Sequence, residues 1–313
     1  MYQPVQKLRY NEIAKVSIGR LCQLFGVSRQ AFHQREHYTQ HAHSQSMLVL
    51  DLVVALRKQI PGLGTRKRYL LLQEPFAQSG IRMGRDKLHG LLQAHGLTLR
   101  HKRSAPKTTN SAHGLQKYPN LLSDQLITAP QQVWVCDITY LCIGLDFGYL
   151  SLITDAYSKL IVGYCLHPML TSEGCLRALE MALHQERPKA TTLIHHSDRG
   201  SQYCSFQDSR TLREAGIAIS MSQYGDPYEN AIAERVNGIL KTDFRLNQVF
   251  TSFEEAAWAV ERSIHNYNHL RPHMSCDYLT PAVAHGSDQP LKKLWKPKRY
   301  NSQKAPPKSS YFR

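Results

Sequence analysis

The sequence has no long apolar runs and no closely paired cysteines. No apolar stretch approaches the ~18–20 residues that a membrane-spanning helix needs, and the N-terminal segment lacks the apolar core of a signal peptide. We therefore expect a cytoplasmic protein without a membrane partner. The seven cysteines are scattered without a Cys-x-x-Cys pair, which indicates neither a zinc site nor a disulfide framework. Buried, reduced thiols are the expectation.

Acidic residues are also missing from the last part of the chain, and the charge is unevenly divided. Residues 291–313 carry 8 Lys/Arg and no Asp/Glu, and residues 1–120 carry 19 against 5. Residues 121–290 carry 12 against 19, within a total net charge of +15. Basic arms attract phosphates, whereas clustered cation-binding carboxylates would leave an acidic middle. Charge alone does not separate a DNA-binding protein from a ribosome-associated one.

A helix-turn-helix pattern occupies residues 16–35. Gly26 supplies the turn and Ser28 is placed to cap a second helix, which would present Arg29 to DNA. The alternative is a helical hairpin that packs on the rest of the protein. We expect the polar stretch at 37–46 to separate this segment from the next helical block.

The second helical block has three predicted helices, at 47–59, 66–78 and 84–95, separated by glycines. This arrangement indicates a second helix-turn-helix unit. Its candidate DNA contacts near the start of the last helix are Arg82, Arg85 and Lys87. A basic linker follows.

The periodicity changes from residue 131 onward, where β-prone segments begin. Three consecutive strands are predicted, and helices and strands then alternate. The strands are expected at 133–143, 148–155, 159–166, 191–196 and 217–221, and the helices at 172–186, 206–215, 230–245 and 253–267. This order predicts an α/β domain with one mixed, five-stranded sheet.

Three acidic residues stand out by their placement. Asp137 lies inside an apolar strand, where an ionised side chain is costly unless it is paired or bound to metal. Asp198 directly follows a strand, at the end where α/β sheets place ligands, and Glu234 lies in a helix. Two Mg²⁺ ions held by such carboxylates can activate a water and neutralise a scissile phosphate. Since the chain has 24 Asp/Glu, spacing alone is weak evidence.

Four ordered motifs give the acids a context: WVCDITY, HHSDRGSQY, SMSQYGDPYENAIAERVNGILK, and YNHLRPH followed by LTP. Over roughly residues 50–285 the chain resembles the integrase-core transposases of bacterial insertion sequences. It is most similar to the class encoded by the second of two overlapping frames. The resemblance implies a ribonuclease-H-like fold, a catalytic and metal-binding triad of Asp137, Asp198 and Glu234, and Mg²⁺, for which Mn²⁺ substitutes.

The resemblance also implies DNA contacts around the triad. Lys241 follows Glu234 by two helical turns and would lie on the same face, with a solvated lysine as the alternative. Arg199 and His196 flank Asp198 and would orient it or contact DNA, although packing roles are equally open for both. Asn230 would bind DNA or orient the helix start.

Two neighbouring positions depart from the class. The class more commonly has Asp where this chain has Glu229, and Ser and two aromatic residues where it has residues 235–237. The motif at 267–273 is expected to pack the C-terminal helix onto the core.

The predicted domains are a helix-turn-helix segment at 1–43, a helical DNA-binding domain at 44–104, a linker at 105–128, the catalytic core with its C-terminal helix at 129–289 and a flexible basic tail at 290–313.

The expected function is metal-dependent cleavage and transfer of DNA strands at element ends. The expected partners are element-end and target DNA, further copies of the chain on DNA, and an upstream-frame helix-turn-helix protein, all at the bacterial nucleoid. The alternatives are a repurposed DNA-binding protein without catalysis and a ribonuclease-H-like nuclease that only cleaves.

Overall fold

The computed structural model of the protein describes residues 17–99, 118–122, 126–186, 193–198, 200, 202–203, 206–222 and 230–292. The predicted linker and basic tail fall largely outside these residues. The chain divides into two compact units, residues 1–103 and 104–313. No helix in the described part of the chain is long and apolar enough to span a membrane.

The first unit is helical. Ser28 caps the second helix by accepting a hydrogen bond from the Ala31 N–H at 3.0 Å, and Gly26 makes the preceding turn with a φ of 68°, as predicted. Buried side chains of the last three helices form one core, which includes Val53, Phe76 and Leu88. The helices are α1 (Ile18–Leu24), α2 (Arg29–Gln59), α3 (Thr65–Gln78) and α4 (Arg85–Ala94).

Helix α2 is a single helix of 31 residues, so the predicted break at 37–46 is wrong. The stretch contains no Gly or Pro, and exposed polar side chains do not prevent a helix. Thr39 and Ser46 donate their hydroxyls to carbonyls four residues earlier, at 2.7 Å each. The predicted domain boundary between residues 43 and 44 therefore falls inside a continuous helix.

The second unit is built on a mixed sheet with the strand order β3-β2-β1-β4-β5. Strands β1, β2 and β3 pair antiparallel, whereas β4 and β5 run parallel to β1. The strands are β1 (Val133–Ile143), β2 (Asp146–Asp155), β3 (Ile161–His167), β4 (Ile194–Ser197) and β5 (Ala218–Met221). The helices are α5 (Ser172–Glu186), α6 (Phe206–Glu214), α7 (Ala231–Asp243), α8 (Phe253–His269) and α9 (Pro281–His285).

A sixth strand, β6 (Val249–Phe250), pairs parallel to the far end of β1. The prediction of five strands missed it, because two residues give no alternating pattern. The five main strands confirm the predicted mixed sheet.

The C-terminal helix is fastened to the sheet by side-chain hydrogen bonds, as the motif at 267–273 predicted. Asn268 donates its Nδ2 to the Ile161 carbonyl and accepts the Ile161 N–H through Oδ1, both at 3.0 Å. Tyr267 donates its hydroxyl to the Lys159 carbonyl at 3.0 Å. These bonds hold α8 beside the edge strand β3.

Helix α5 packs closely on β3 at Gly163. A methyl group there would meet the Ala178 carbonyl oxygen and lie 2.9 Å from Ala182 Cβ. We expect Gly163→Ala to lower the free energy of unfolding by about 1–3 kcal/mol through overpacking, measured by urea denaturation. Gly238→Ala is the control, because nothing lies within 4 Å of a Cβ at that helical position. An equal loss in both variants would contradict the packing argument.

Candidate active site

The pairing of β1 with β4 brings the first two acidic residues together. Val135 is the partner of His196 in this parallel pair, and continuing the same offset by two residues places Asp198 alongside Asp137. Asp198 directly follows the last residue of β4, Ser197. Asp198 therefore lies at the carboxyl end of β4, as predicted.

Asp137 lies near the negative charges of other acidic residues. Its burial, the charge of Asp198 and, more weakly, the charge of Glu234 raise its pKa to about 7. Two hydrogen bonds act in the opposite direction: the Ile138 N–H donates to Oδ1 at 3.0 Å and Asn237 Nδ2 donates to Oδ2 at 2.8 Å. Repulsion between carboxylates is what a bound cation relieves.

Asp198 is held by the backbone that follows it. Its Oδ1 accepts the Gly200 N–H at 3.0 Å. A Cβ at Gly200 would lie 3.0 Å from both that oxygen and the Gln202 Oε1. Any side chain at position 200 would therefore press on the carboxylate, which gives the glycine of the HHSDRGSQY motif a steric reason. Arg199 lies outside the described residues.

Glu234 lies in the first turn of α7, with its side chain exposed. One face of this helix is buried, through Ala233, Val236, Ile239 and Leu240. Among the described residues, no three His, Cys, Asp or Glu side chains converge closely enough to form a ready-made metal site. The structure thus brings Asp137 and Asp198 together and leaves Glu234 on the neighbouring helix, within electrostatic range of Asp137.

The three acidic residues fit an oxygen-preferring divalent cation. Their donor atoms are all carboxylate oxygens, which Mg²⁺-like ions favour over nitrogen or sulfur. In the described part of the chain, neither Asp137 nor Glu234 forms a salt bridge. Negative charge at the site is therefore left for a cation to neutralise.

Lys241 lies close to Asp137. Its Nζ lies 4.4 Å from the centroid of the Tyr140 ring on β1, and its charge interacts with that of Asp137. Burial lowers the pKa of Lys241, while Asp137 raises it in part. The placement of Lys241 on the same face of α7 as Glu234, and its contact with a phosphate, stay predictions.

Two of the predicted DNA contacts are buried instead. His196 is fully buried, and its Nδ1 lies 2.8 Å from Ser220 Oγ on β5. Asn230 is 9% exposed and donates Nδ2 to the Cys136 carbonyl at 3.1 Å. His196 therefore serves the sheet rather than a DNA surface, and Asn230 ties the start of α7 to β1. Its predicted role in orienting that helix fits this contact.

The candidate DNA contacts of the helical unit are solvent-exposed. Arg29, Arg82 and Lys87 are all exposed. Arg85 is exposed too, and its Nε donates to Asp86 Oδ1 at 2.9 Å. Their contact with DNA remains a prediction.

Asn237 is a site residue that the sequence reasoning missed. It lies one helical turn after Glu234, is 6% exposed, and contacts Asp137 directly, while its buried Oδ1 has no hydrogen-bond partner among the described residues. Residues 235–237 were recognised only as a departure from the class. A polar residue on the buried side of an otherwise apolar helix was the available signal.

We expect Asn237→Ala to weaken divalent-metal binding about 10- to 100-fold, the usual effect of removing a partner of a metal ligand. The loss follows because Asp137 would no longer be held at Oδ2. Isothermal titration of the DNA-free protein with Mg²⁺ measures it. The exposed residue Asn247 supplies the control, Asn247→Ala; equal affinities in the two variants would contradict the assignment.

Comparison with known proteins assigns the chain to a family. Two segments match the integrase core domain, at residues 127–227 and 215–281. A 31 kDa protein of insertion element IS600 from Shigella sonnei is 39% identical over 84% of this chain and 96% of its own length. The chain belongs to the insertion-sequence transposases.

Two further relatives are named as transposases. The transposase for insertion element IS629 from Shigella sonnei is 31% identical over 66% of this chain and 69% of its own. Transposase InsF for IS3fB from Escherichia coli K12 is 29% identical over 86% and 93%. The mixed sheet is thus an integrase core, and the chain is a DNA transposase of the Asp-Asp-Glu type.

Proposed function

We propose that Asp137, Asp198 and Glu234 are the triad of this transposase and that they hold two Mg²⁺ ions, for which Mn²⁺ substitutes. The proposal rests chiefly on the adjacency of Asp137 and Asp198 on neighbouring parallel strands, with a pKa of about 7 at Asp137. Glu234 is supported by its place on the helix that Asn237 ties to Asp137. The set of carboxylate donors suits this ion.

The bound metal would activate the attacking oxygen and neutralise charge on the scissile phosphate. The protein's residues position the other components: Asn237 orients Asp137, and Lys241 is placed to bind a phosphate oxygen. Water first cleaves a phosphodiester at the element end, which frees a 3′ hydroxyl. That hydroxyl then attacks a target phosphodiester, forming one P–O bond while another breaks. No covalent protein–DNA intermediate is needed.

The helical unit would hold the DNA. Its exposed cations Arg29, Arg82 and Lys87 lie in the part of the chain with 19 Lys/Arg against 5 Asp/Glu. Residues 121–290, which contain the proposed triad, carry 12 Lys/Arg against 19 Asp/Glu, so phosphate is repelled there until a cation is bound. This division predicts that DNA binding survives the removal of metal.

Assembly and location follow from the reaction. Two element ends must be brought together, which calls for several copies of the chain on DNA. An upstream-frame helix-turn-helix protein is a further proposed partner, and the nucleoid is the proposed location. Sedimentation of the protein with and without DNA containing an element end tests the multimer.

A joining assay tests the function. Labelled DNA with the element's ends is incubated with a target plasmid, and we expect joined strands with Mg²⁺ or Mn²⁺ and none with EDTA. Cleaved ends without joined product would favour the nuclease alternative. Stable binding without either product would favour a repurposed DNA-binding protein.

A further inference from the structure

The β1–β2 hairpin exposes two aromatic rings. Tyr140 on β1 is 45% exposed and Phe147 on β2 is 47% exposed. Their rings meet edge to face, with centroids 5.4 Å apart. Leu145, at the tip between the strands, is fully exposed. Exposed aromatic pairs at the end of a sheet are unfavourable in water, and such patches commonly mark binding surfaces.

This aromatic pair lies next to the proposed catalytic site. Tyr140 follows Asp137 by three residues on the same strand, about 10 Å along it, and the alternation of side chains along a strand turns the two to opposite faces of the sheet. Lys241 connects the two places: its Nζ lies 4.4 Å from the Tyr140 ring centroid, and its charge interacts with that of Asp137. A phosphate bound by Lys241 would therefore have its nucleoside within reach of the rings.

The chemistry of the patch favours nucleic acid over protein. Aromatic side chains beside a lysine are the combination that binds unpaired nucleotides, because every base has a π face and every nucleotide a phosphate. Stacking tolerates any base sequence, which suits a strand opened at the site of cleavage.

We propose that Tyr140 and Phe147 form a stacking platform for an unpaired DNA base whose phosphate lies at the carboxylate site. The inference rests on the proposed function, since it places the scissile phosphate beside Asp137. In the free protein, Lys241 covers one face of the Tyr140 ring. When Lys241 turns to a phosphate, that face becomes open to a base.

The test measures binding without catalysis. Fluorescence anisotropy with Mg²⁺ compares a blunt duplex that contains no element end, and so should not be cleaved, with the same duplex carrying a single-stranded overhang of about five thymidines. We expect the wild type to prefer the overhang, and Tyr140→Leu or Phe147→Leu to reduce that preference about tenfold. Tyr140→Phe keeps the ring and should keep the preference. All variants should bind the blunt duplex alike.

Trp258→Leu is the matched control, because Trp258 is also exposed, at 59%, and also packs against a cation, Arg262, at 4.3 Å. It should leave the overhang preference unchanged. Equal binding of both DNAs by the wild type would overturn the platform, and so would an unchanged preference in both leucine variants. A change in oligomeric state on sedimentation of Tyr140→Leu would also overturn it, since the patch would then be a protein contact.

The same proteins are assayed for strand joining. If the wild type joins strands but neither Tyr140→Leu nor Phe147→Leu alters overhang binding, only the platform fails. If overhang binding depends on the rings but no joining occurs, only the proposed function fails.

Discussion

Replacing Asp137 by Asn is expected to lower strand cleavage and strand transfer more than about 100-fold, beyond the ~10- to 100-fold effect of losing an outer-shell partner. The amide removes a negatively charged ligand from the proposed metal site while preserving shape. Its single oxygen can still accept the Asn237 Nδ2 hydrogen bond, now made to Oδ2 of Asp137 at 2.8 Å, although the Ile138 N–H then loses its acceptor at Oδ1. The folded structure is therefore expected to survive, and gel assays of cleaved and joined DNA measure the loss.

The same substitution is expected to stabilise the metal-free protein above neutral pH. The pKa of Asp137 is raised from 3.8 to about 7 in the folded state, first by burial and then by Asp198. Between these values the folded protein binds more protons than the unfolded chain, so the stability of the wild type falls as pH rises from about 4 to 7. Asparagine removes that cost, which is on the order of a few kcal/mol for a pKa shift of this size.

Thermal unfolding in EDTA at pH 5 and pH 8 separates the effects. The melting temperature of the Asn variant should exceed that of the wild type by more at pH 8 than at pH 5. Mg²⁺ should reverse this order by stabilising the wild type. Asp146→Asn, at an exposed position on β2, is the control and should change neither activity nor stability. Retained strand transfer in Asp137→Asn would refute the triad.

Replacing Asp243 by Ala is expected to cost about 3–5 kcal/mol of unfolding free energy, the usual result of breaking a buried ion pair. Arg271 is 2% exposed, and its Nη2 and Nε each lie 2.8 Å from Asp243 Oδ2. Without the carboxylate, the guanidinium would remain buried without its counter-ion. Urea denaturation measures the change.

A double variant shows whether the loss of stability comes from the buried, uncompensated charge of Arg271. Asp243→Ala combined with Arg271→Met should recover part of the stability, because no charge remains buried. Asp288→Ala, at an exposed position, should be neutral. A double variant less stable than Asp243→Ala alone would show that Arg271 contributes mainly through packing.

Local pattern and composition predicted most of the second unit. Val133–Ile143 has the predicted bounds of a β-prone run, and Ser172–Glu186 those of an amphipathic helix. Strand β6 escaped because its two residues are ordered by pairing with β1. The continuity of α2 escaped because polar residues were taken as a break, although only Gly or Pro would disfavour a helix strongly.

The candidate site was predictable at the level of its acidic residues and less so around them. The ordered motifs located Asp137, Asp198 and Glu234 without any geometry. The roles of His196 and Asn237 depend instead on which elements cover a side chain, and a single sequence does not contain that information. His196 is fully buried and its Nδ1 lies 2.8 Å from Ser220 Oγ, so its place two residues before Asp198 in the sequence does not expose it to DNA in this structure.

The uninterrupted helix α2 fixes a distance and an angle within the helical unit. Its 31 residues rise about 46 Å, roughly the length of thirteen or fourteen base pairs of DNA, and each residue adds a rotation of about 100°. Arg29 at its start and the helical core at its end are therefore joined by a rigid spacer. Inserting one residue near position 43 would turn the first segment by more than a quarter of a revolution relative to the helical core, so the length of this helix would set the phasing of the two proposed DNA contacts along a duplex.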